Sequence, residues 1–379
     1  MNTLGELIRS EIAGRGPIGF DRFMELALYH PEHGYYERGA DRVGKRGDFY
    51  TSVSIGSLFG ELLGFQFAEW LEAEPGGRAA NGTERLQLVE AGAHDGRLAQ
   101  DILGWLRDWR PEILERTEYW IIEPSARRRE WQRGTLVGFA PKVRWFVDWP
   151  EVLATAPDGV NGVAFSNELL DAFPVRRFGW DATARQWFEW GVAYAESRFV
   201  WTKLPFAVAT AANPHGFRPH LEIITPALET VLPDHYTVEI CPATEAWWRS
   251  AAGALACGHL LTFDYGLIAE ELIIPERTQG TLRAYREHHG SDDILASPGD
   301  QDLTAHVNFA ALQGVGEAAG LKTEGLFAQS GFLAGIAGRT MRPDARFGEW
   351  TQARARQFQT LTHPEHLGRT FRVLSQRRR

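Results

Sequence analysis

Short apolar runs and amphipathic segments alternate between residues 86 and 136, and this alternation is the feature that most restricts the fold. LQLVEAG (86–92) is an apolar run of strand length, whereas DGRLAQDILGWLRDW (95–109) has apolar residues at helical spacing. YWIIEPS (119–125) again predicts a strand, and ARRREWQRGTL (126–136) again predicts a helix. Strands that alternate with helices at this spacing are typical of a parallel sheet.

Three further apolar runs extend this pattern along the chain. VRWFVDW (143–149) and GVAFSNEL (162–169) predict a third and a fourth strand, and GHLLTFDYG (258–266) predicts a fifth. We therefore expect an α/β protein with a doubly wound sheet. In such a sheet, ligands bind outside the carboxyl ends of the strands.

The remaining segments predict additions to this sheet. Residues 176–202 alternate apolar and polar side chains, which is typical of an antiparallel meander, and 205–254 is partly helical. A helix at 309–319 is followed by a predicted hairpin that supplies antiparallel edge strands. The predicted parts are a helical cap or lid (1–78), the first part of the core (79–175), an inserted α+β subdomain (176–256) and the completion of the core (257–379), with a pocket-forming loop at 275–308.

Composition excludes several other classes of protein. With 44% apolar and 23% charged residues, the 379-residue chain has the composition of an ordinary globular protein rather than a disordered or fibrous one. The net charge of −9 disfavours binding to nucleic acid. Two cysteines, no signal-like apolar run at the N-terminus and no run of membrane-spanning length lead us to expect a cytoplasmic protein without membrane insertion.

The first predicted strand ends in a glycine-containing turn. Glu90 is followed by Gly92, His94 and Gly96, and a helix opens directly afterwards. The glycines permit a tight turn and the close approach of a ligand, and the acid can accept hydrogen bonds. The spacing differs from the GxGxxG of nicotinamide-binding proteins, and Asp95 would repel a pyrophosphate, so a cationic amino-acid cofactor fits better. A purely structural turn is the alternative.

Carboxylates also follow the second and third strands. Glu123 lies where an acid binds both hydroxyls of a ribose, and Asp148 lies where an adenine amino group would be. The alternative for Glu123 is an acid at a helix N-terminus, because Pro124 and Ser125 follow it. For Asp148 the alternative is an ordinary surface acid before Pro150.

The fourth strand ends in three polar residues. Ser166, Asn167 and Glu168 are followed by Asp171, so a helix that begins here would place both carboxylates on one face at the functional edge of the sheet. We expect them to face an acceptor substrate, and helix capping is the alternative. Asp264, with Tyr265 and Gly266 after it, repeats the pattern in the fifth strand.

These residues lie in segments that resemble the MidA family of S-adenosylmethionine-dependent methyltransferases. The resemblance covers most of the chain and comprises eight segments in one order. They are GPIGFDRFMELALYHPEHGYY (16–36), GKRGDFYTS (44–52), VEAGAHDGRLAQDIL (89–103), IIEPSARRREWQ (121–132), SNELLDAFPVRRF (166–178), TFDYG (262–266), GTLRAYREHH (280–289) and DLTAHVNFAAL (302–312).

The resemblance implies a class I (Rossmann-like) methyltransferase that uses S-adenosyl-L-methionine. It also implies a protein arginine methyltransferase activity, because the mitochondrial member of the family has this activity, and hence a protein substrate. We assign the residues to three roles. They are catalytic (Asn167, Glu168, Asp171), cofactor-binding (Glu90, Gly92, Gly96, Glu123, Asp148, Asp48, Thr51) and acceptor pocket (His306, Tyr265, Arg283).

The chain departs from the family pattern at two places. His94 replaces the middle glycine of ExGxGxG, and Val53 and Ser54 replace the usual Pro-Glu after GDFxTS. His is among the residues that tolerate unusual backbone angles, so the turn can still form. By analogy with the family, the segment with Tyr35, Tyr36, Asp48, Phe49 and Thr51 is expected to cover the cofactor, and packing within the helical cap is the alternative.

Three other functions compete with arginine methylation. A small-molecule or lipid methyltransferase would use the same scaffold, and a cofactor-binding assembly factor would bind without turnover. A nicotinamide oxidoreductase has the wrong glycine spacing. No metal is expected, because the spacing matches no recognised site among the residues that resemble ligands (His288, His289, Asp292, Asp293, His306).

Overall fold

The computed structural model describes residues 2–38, 51–73, 85–204, 224–286, 289–291, 293–364, 367–368 and 371–379. The helices are α1 (Thr3–Arg15), α2 (Phe20–Tyr29), α3 (Ser52–Ile55), α4 (Leu58–Ala73), α5 (Arg97–Trp109), α6 (Pro111–Arg116), α7 (Ala126–Thr135), α8 (Trp149–Thr155), α9 (Pro226–Glu229), α10 (Pro242–Ala254), α11 (Phe309–Ala318), α12 (Gln329–Thr340) and α13 (Gln352–Thr362). The strands are β1 (Ile18–Gly19), β2 (Leu86–Ala91), β3 (Thr117–Ile122), β4 (Val143–Phe146), β5 (Val160–Asn167), β6 (Arg176–Asp181), β7 (Gln186–Ala195), β8 (Arg198–Leu204), β9 (Thr237–Ile240), β10 (Leu255–Leu267), β11 (Arg283–Arg286), β12 (His289–Ser291), β13 (Asp302–Thr304), β14 (Val307–Asn308), β15 (Lys322–Ala328) and β16 (Phe371–Arg378).

The chain divides into two compact units. The first consists of Met1–Gly39, Asp171–Glu245 and Leu267–Ala310, and the second of Ala40–Leu170, Ala246–Gly266 and Ala311–Arg379. Residues 1–78, which the sequence predicts as one cap, are therefore shared: α1 and α2 belong to the first unit, and α3 and α4 belong to the second.

The second unit contains the predicted doubly wound sheet. Its strand order is β15–β16–β10–β5–β2–β3–β4. The five strands from β10 to β4 run parallel, as predicted. Along the chain, β3 and β4 lie on one side of β2 whereas β5 and β10 lie on the other, so the order reverses between β2 and β5. Ligands bind at this kind of switch point in doubly wound sheets.

The central strand β2 shows why this sheet forms. All six of its residues are buried, which is typical of a parallel strand that is covered on both faces. Leu86 and Leu88 lie in a core cluster with apolar side chains of α4 and α5, including Phe59 and Leu98. Burial of each large apolar side chain stabilises the fold by about 1.5 to 3 kcal/mol, so this cluster holds β2 in its position in the sheet.

The first unit contains the predicted antiparallel meander. Strands β6, β7 and β8 pair in succession, and β1 and β9 complete a sheet of five strands. The turn between β7 and β8 contains Glu196, which has a left-handed φ of 51°. A second, three-stranded sheet has the order β12–β11–β13.

The C-terminal part differs from the expectation in two ways. The predicted hairpin after Gly320 is wrong, because β15 is followed by helix α12, and its antiparallel partner is β16. The expected second edge strand is instead β16, which extends to Arg378 and also pairs with β10. No helix in the described ranges is long and apolar enough to cross a membrane.

Candidate functional site at the switch point of the sheet

The turn after β2 has the backbone geometry of a ligand-binding loop. Gly92 and Gly96 have left-handed φ values of 75° and 86°. A Cβ atom on Gly92 would lie 2.7 Å from Cδ1 of Leu169, so neither the backbone angle nor the space allows a side chain there. His94 also has a positive φ, of 45°, a backbone conformation that glycine adopts readily, so the turn forms with histidine at this position.

Glu90, at the end of β2, is buried together with a single phenol. The residue is 2% exposed, and its Oε2 accepts a hydrogen bond of 2.6 Å from the Tyr119 hydroxyl on β3. Burial raises the pKa of Glu90 to about 8, and Asp95 adds to the rise, although the bond from Tyr119 opposes it. A carboxyl group with this pKa holds its proton through the weakly acidic range in which an ordinary glutamate is ionised.

Glu123, directly after β3, lies in a closed polar network. Its Oε1 accepts bonds of 2.9 Å from the Ser125 backbone and from Nε of Arg128, which also pairs with it through Nη2. Its Oε2 accepts from Gln132, which also donates to the carbonyl oxygen of His94 at 3.0 Å. The residue is 1% exposed, so a ribose can reach this carboxylate only if Arg128 moves aside.

Asp148 has a local structural role in the ligand-free protein. It is the N-cap of α8, and its Oδ1 accepts a bond of 2.9 Å from the Glu151 backbone. The side chain is exposed. Its proposed contact with adenine stays a prediction.

The end of β5 brings together Asn167, Glu168 and the start of α3. Glu168 has a left-handed φ of 51°, and its Oε1 accepts 3.0 Å bonds from the Ser52 backbone and from Nδ2 of Asn167. Oδ1 of Asn167 is a buried acceptor that has no hydrogen-bond partner among the described residues. Because an unmet buried acceptor costs free energy, this atom marks a place where a donor belongs.

The other predicted catalytic and pocket residues fall in both units. Asp171 lies in a short 3-10 turn, Leu170–Ala172, that opens the second segment of the first unit, and it is buried. Tyr265 lies in the second unit with its ring against Phe371, 3.9 Å between centroids. The neighbouring Asp264 is completely buried and accepts bonds of 2.9 Å from the backbones of Leu170 and Tyr265.

Arg283 and His306 lie in the first unit. Arg283 begins β11, and the backbone of His306 donates a 3.1 Å bond to the Thr281 hydroxyl. Desolvation by surrounding protein lowers the pKa of His306 to about 4, although part of the side chain remains exposed, and the charges of Arg277 and Arg283 lower it further. The two neighbouring arginines would repel a guanidinium at this position, so any contact of His306 with an acceptor protein would involve a part of that protein other than the methylated arginine.

The predicted cover of the cofactor is described only in part. Thr51 caps α3, and it forms a reciprocal capping box with Ser54, so Ser54 meets the same backbone need as the glutamate that the family has there. Tyr35 is buried in the first unit, and the Tyr36 hydroxyl donates to Asp302 at 2.8 Å. Asp48 and Phe49 lie outside the described residues.

The residues at the ends of β2 and β3 fit an amino-acid nucleoside. Gly92 and Gly96 take the left-handed backbone angles of a ligand-binding turn, and Glu90 and Glu123 supply carboxyl groups for an ammonium group and a diol. When bound, S-adenosylmethionine would supply an electrophilic methyl group on a sulfonium sulfur. Among the described residues, no group of three His, Cys, Asp or Glu side chains is placed to hold a metal ion.

Four site residues were missed by the reasoning from sequence. Tyr119, Arg128, Gln132 and Ser52 contact the predicted carboxylates through side chains or backbone. Tyr119 lies on β3, next to β2, and Arg128 and Gln132 lie in the first two turns of α7. A systematic search for donors one strand or two helical turns from each carboxylate would have found Tyr119, Arg128 and Gln132.

The sheet order, the glycine turn and the carboxylates define a Rossmann-like enzyme for a nucleoside cofactor. Residues 62–327 match a family described as S-adenosyl-L-methionine-dependent methyltransferases. This match covers more than half of the chain, so the chain belongs to that family, and its cofactor is S-adenosyl-L-methionine. The resemblance to MidA proteins and the predicted fold class are confirmed.

Individual relatives agree with this membership. The human protein arginine methyltransferase NDUFAF7, mitochondrial, is 30% identical over 80% of this chain, which spans 66% of the human protein, just under two thirds. The Drosophila melanogaster homolog is 26% identical over 98% of this chain and 84% of its own length. A protein from Burkholderia thailandensis, described as a methyl transferase and bound to S-adenosyl-homocysteine, is 31% identical with a TM-score of 0.78, covering 99% of this chain and 92% of its own.

Proposed function

We propose that this methyltransferase transfers methyl groups to arginine side chains of a partner protein. The observation that carries the proposal is the pair of acceptors at the end of β5, Glu168 and the unmet Oδ1 of Asn167. A guanidinium has five N–H donors and no acceptor, so it complements such a pair, whereas a carboxylate or phosphate substrate does not. The names of the NDUFAF7 relatives support the same acceptor.

Glu168 is proposed to overcome the chemical difficulty of methylating a guanidinium. The guanidinium lone pairs are delocalised, and its pKa above about 12 keeps it protonated. A carboxylate that accepts two of its N–H groups holds the positive charge on one side and leaves the opposite nitrogen more nucleophilic. The bonds from Ser52 and Asn167 fix one oxygen of Glu168, so the carboxylate is oriented before the substrate arrives. As the new N–C bond forms, the bond between sulfur and the methyl carbon would break and S-adenosylhomocysteine would leave, while the nitrogen would release one proton to solvent, so that the methylated guanidinium keeps its charge.

Labelled S-adenosylmethionine tests the proposal. The purified protein is incubated with protein extract from cells that lack it, and methylated residues are located by mass spectrometry. We expect methylarginine, and we expect Glu168→Gln to lower its formation at least about a hundredfold with unchanged S-adenosylhomocysteine affinity. Label found only in small molecules or lipids would overturn the proposal.

Glu196→Gln is the matched control for this substitution. Glu196 has the same left-handed φ of 51° as Glu168, but it lies in the turn between β7 and β8, with its side chain 82% exposed. We expect wild-type activity from this variant. If both variants lose activity equally, the effect of Glu168→Gln is not specific to the end of β5.

We also propose that the protein acts in the cytoplasm. The chain has two cysteines and no disulfide between them, which fits a reducing compartment, whereas the human relative is named as mitochondrial. Fractionation of cells that express the full-length protein tests this location, and recovery with an organelle or the membrane fraction would contradict it.

A further inference from the structure

A buried ion pair in the five-stranded sheet of the first unit contacts the start of GTLRAYREHH (280–289), one of the segments that resemble the MidA family. Arg177 on β6 and Glu239 on β9 stand opposite each other in register, and Nε of Arg177 lies 3.0 Å from Oε1 of Glu239. Their side chains are 8% and 4% exposed. The guanidinium also lies over the ring of Trp201, 4.8 Å from its centroid.

Both members of the pair bond to the backbone of the same short segment. Arg177 donates a 2.6 Å bond to the carbonyl oxygen of Gln279, and Oε2 of Glu239 accepts a 2.7 Å bond from the Thr281 backbone. Gly280, between them, has a φ of 71°, and a Cβ atom there would lie 2.1 Å from Oε1 of Glu239. The ion pair and this glycine therefore hold residues 279–281 in one conformation.

Residues 279–281 are connected to both predicted acceptor-pocket residues of the first unit, Arg283 and His306. The Thr281 hydroxyl donates to Glu239 at 3.2 Å and accepts the backbone N–H of His306 at 3.1 Å. Two residues later, Arg283 opens β11, which pairs with β13. The positions of Arg283 and His306 thus depend on the pair, although Arg177 and Glu239 do not themselves belong to the predicted pocket.

We propose that Arg177 and Glu239 are positioning residues that set the affinity for the acceptor protein by fixing residues 279–283. This inference rests on the proposed function, because it assumes that Arg283 and His306 contact the acceptor. A charged pair suits this task better than an apolar contact, since Arg177 holds a carbonyl oxygen and Glu239 holds an N–H of the same loop at once.

Arg177→Lys tests the proposal, because lysine keeps the charge and loses the fork that bonds Glu239 and Gln279 together. With an arginine-containing peptide that the wild type methylates, we expect KM for the peptide to rise about tenfold or more, with kcat within about twofold. We expect the affinity for S-adenosylhomocysteine to stay unchanged. Hydrogen exchange of residues 279–283 should become faster.

Arg176→Lys is the matched control, because Arg176 is the next residue on β6 and makes a similar two-point pair with Glu189, at 2.8 and 2.5 Å. This pair joins β6 to β7, on the side of β6 away from β9, so we expect wild-type KM and exchange. Gly280→Ala provides a second route, since its Cβ displaces Glu239 without a change of charge, and Gly290→Ala, where a Cβ meets nothing within 4 Å, is its control. Arg177→Lys and Gly280→Ala should both raise KM for the peptide, and neither control variant should.

Unchanged KM in Arg177→Lys and Gly280→Ala, with peptide methylation intact, would overturn the inference and leave the proposed function standing. An equal rise of KM in Arg176→Lys would also overturn it, because the effect would then be a general loosening of the sheet. If the wild type methylates no arginine, the proposed function fails and the acceptor-affinity claim fails with it, whereas the exchange measurement still decides whether the pair fixes the segment.

Discussion

The ends of β2 and β3 each bury a carboxylate, but the two carboxylates have opposite partners. Glu90 has a neutral phenol, and burial raises its pKa to about 8. Glu123 has the guanidinium of Arg128, a backbone amide and Gln132. Both residues are at most 2% exposed, so the two carboxyl groups differ in their hydrogen-bond and ion-pair partners and not in their depth of burial.

This contrast gives the two carboxyl groups different responses to a ligand, if both bind the cofactor as predicted. A protonated Glu90 would release its proton when a cationic group binds, whereas Glu123 would exchange bonds from its present partners for bonds from hydroxyl groups. Binding is therefore expected to change protonation at the end of β2 and side-chain pairing at the end of β3.

The largest expected effect comes from breaking the ion pair at the end of β3. Arg128→Ala leaves the Glu123 carboxylate buried without its cation, which should lower the free energy of unfolding by about 3 to 5 kcal/mol. Urea denaturation measures it. Arg127→Ala, an exposed arginine on the same helix, should change stability by no more than about 0.5 kcal/mol.

A second variant separates charge burial from lost packing. If the cost of Arg128→Ala comes from the unpaired charge, Arg128→Met combined with Glu123→Gln should recover most of the stability, because replacing both charges removes the penalty. An equally unstable double variant would show that Arg128 acts mainly through packing, and the contrast between the two strand ends would lose its electrostatic basis.

The next effect is a pH dependence that arises from Glu90. Between its ordinary pKa of 4.5 and its folded pKa of about 8, the folded protein holds a proton that the unfolded chain has lost. The contribution of Glu90 to stability is therefore present below pH 4.5 and is lost as pH rises through 8, with a slope of at most about 1.4 kcal/mol per pH unit. Glu90→Gln should remove this slope.

Unfolding measured from pH 5 to 9 checks this prediction. The stability of the wild type relative to Glu90→Gln should fall toward pH 8 and then level off, and Glu196→Gln should run parallel to the wild type. Parallel curves for the wild type and Glu90→Gln would mean that Glu90 is already ionised at pH 5, which removes the proposed difference between the two carboxylates.

The sequence predicts the two strand ends well because their signals are local. Apolar runs followed by Glu90 and Glu123 identify the strands, and the parallel sheet then brings their ends to one edge. The partners follow from packing that no local pattern contains. Tyr119 faces Glu90 only because β2 and β3 pair in the observed register.

The C-terminal error has a similar physical origin. The residues of α12, QSGFLAGIAGRT, contain three glycines and little helical patterning, and these features predicted a hairpin. The helix forms because Leu333 and Ile336 pack into the main core cluster, so tertiary burial overrides weak local propensity. The true partner of β15, strand β16, lies more than 40 residues later in the chain, beyond the reach of a hairpin rule.

A smaller effect is expected at His94, which connects the two strand ends. Gln132 bonds both Glu123 and the His94 carbonyl oxygen, so the backbone and not the imidazole carries the connection. His94→Gly should relieve a positive φ that costs about 1 to 2 kcal/mol, but glycine is also more flexible when unfolded, so stability should change by less than about 1 kcal/mol. The affinity for S-adenosylhomocysteine, measured by calorimetry, should stay within about threefold of the wild type. A large gain in affinity would mean that the histidine side chain obstructs the turn.

The smallest effect on stability is expected at Asp148, which extends the comparison to the end of β4. Its carboxylate is exposed and caps α8, unlike the buried carboxylates of Glu90 and Glu123. Asp148→Ser keeps a capping oxygen, so the free energy of unfolding should change by only a few tenths of a kcal/mol, whereas Asp148→Ala should cost about 1 kcal/mol. Serine is too short to keep a distant contact with adenine, so the predicted cofactor role requires Asp148→Ser to weaken S-adenosylhomocysteine binding while the helix stays intact. If binding and stability both remain at wild-type levels, Asp148 is only a helix cap, and recognition of the cofactor by carboxylates ends with β2 and β3.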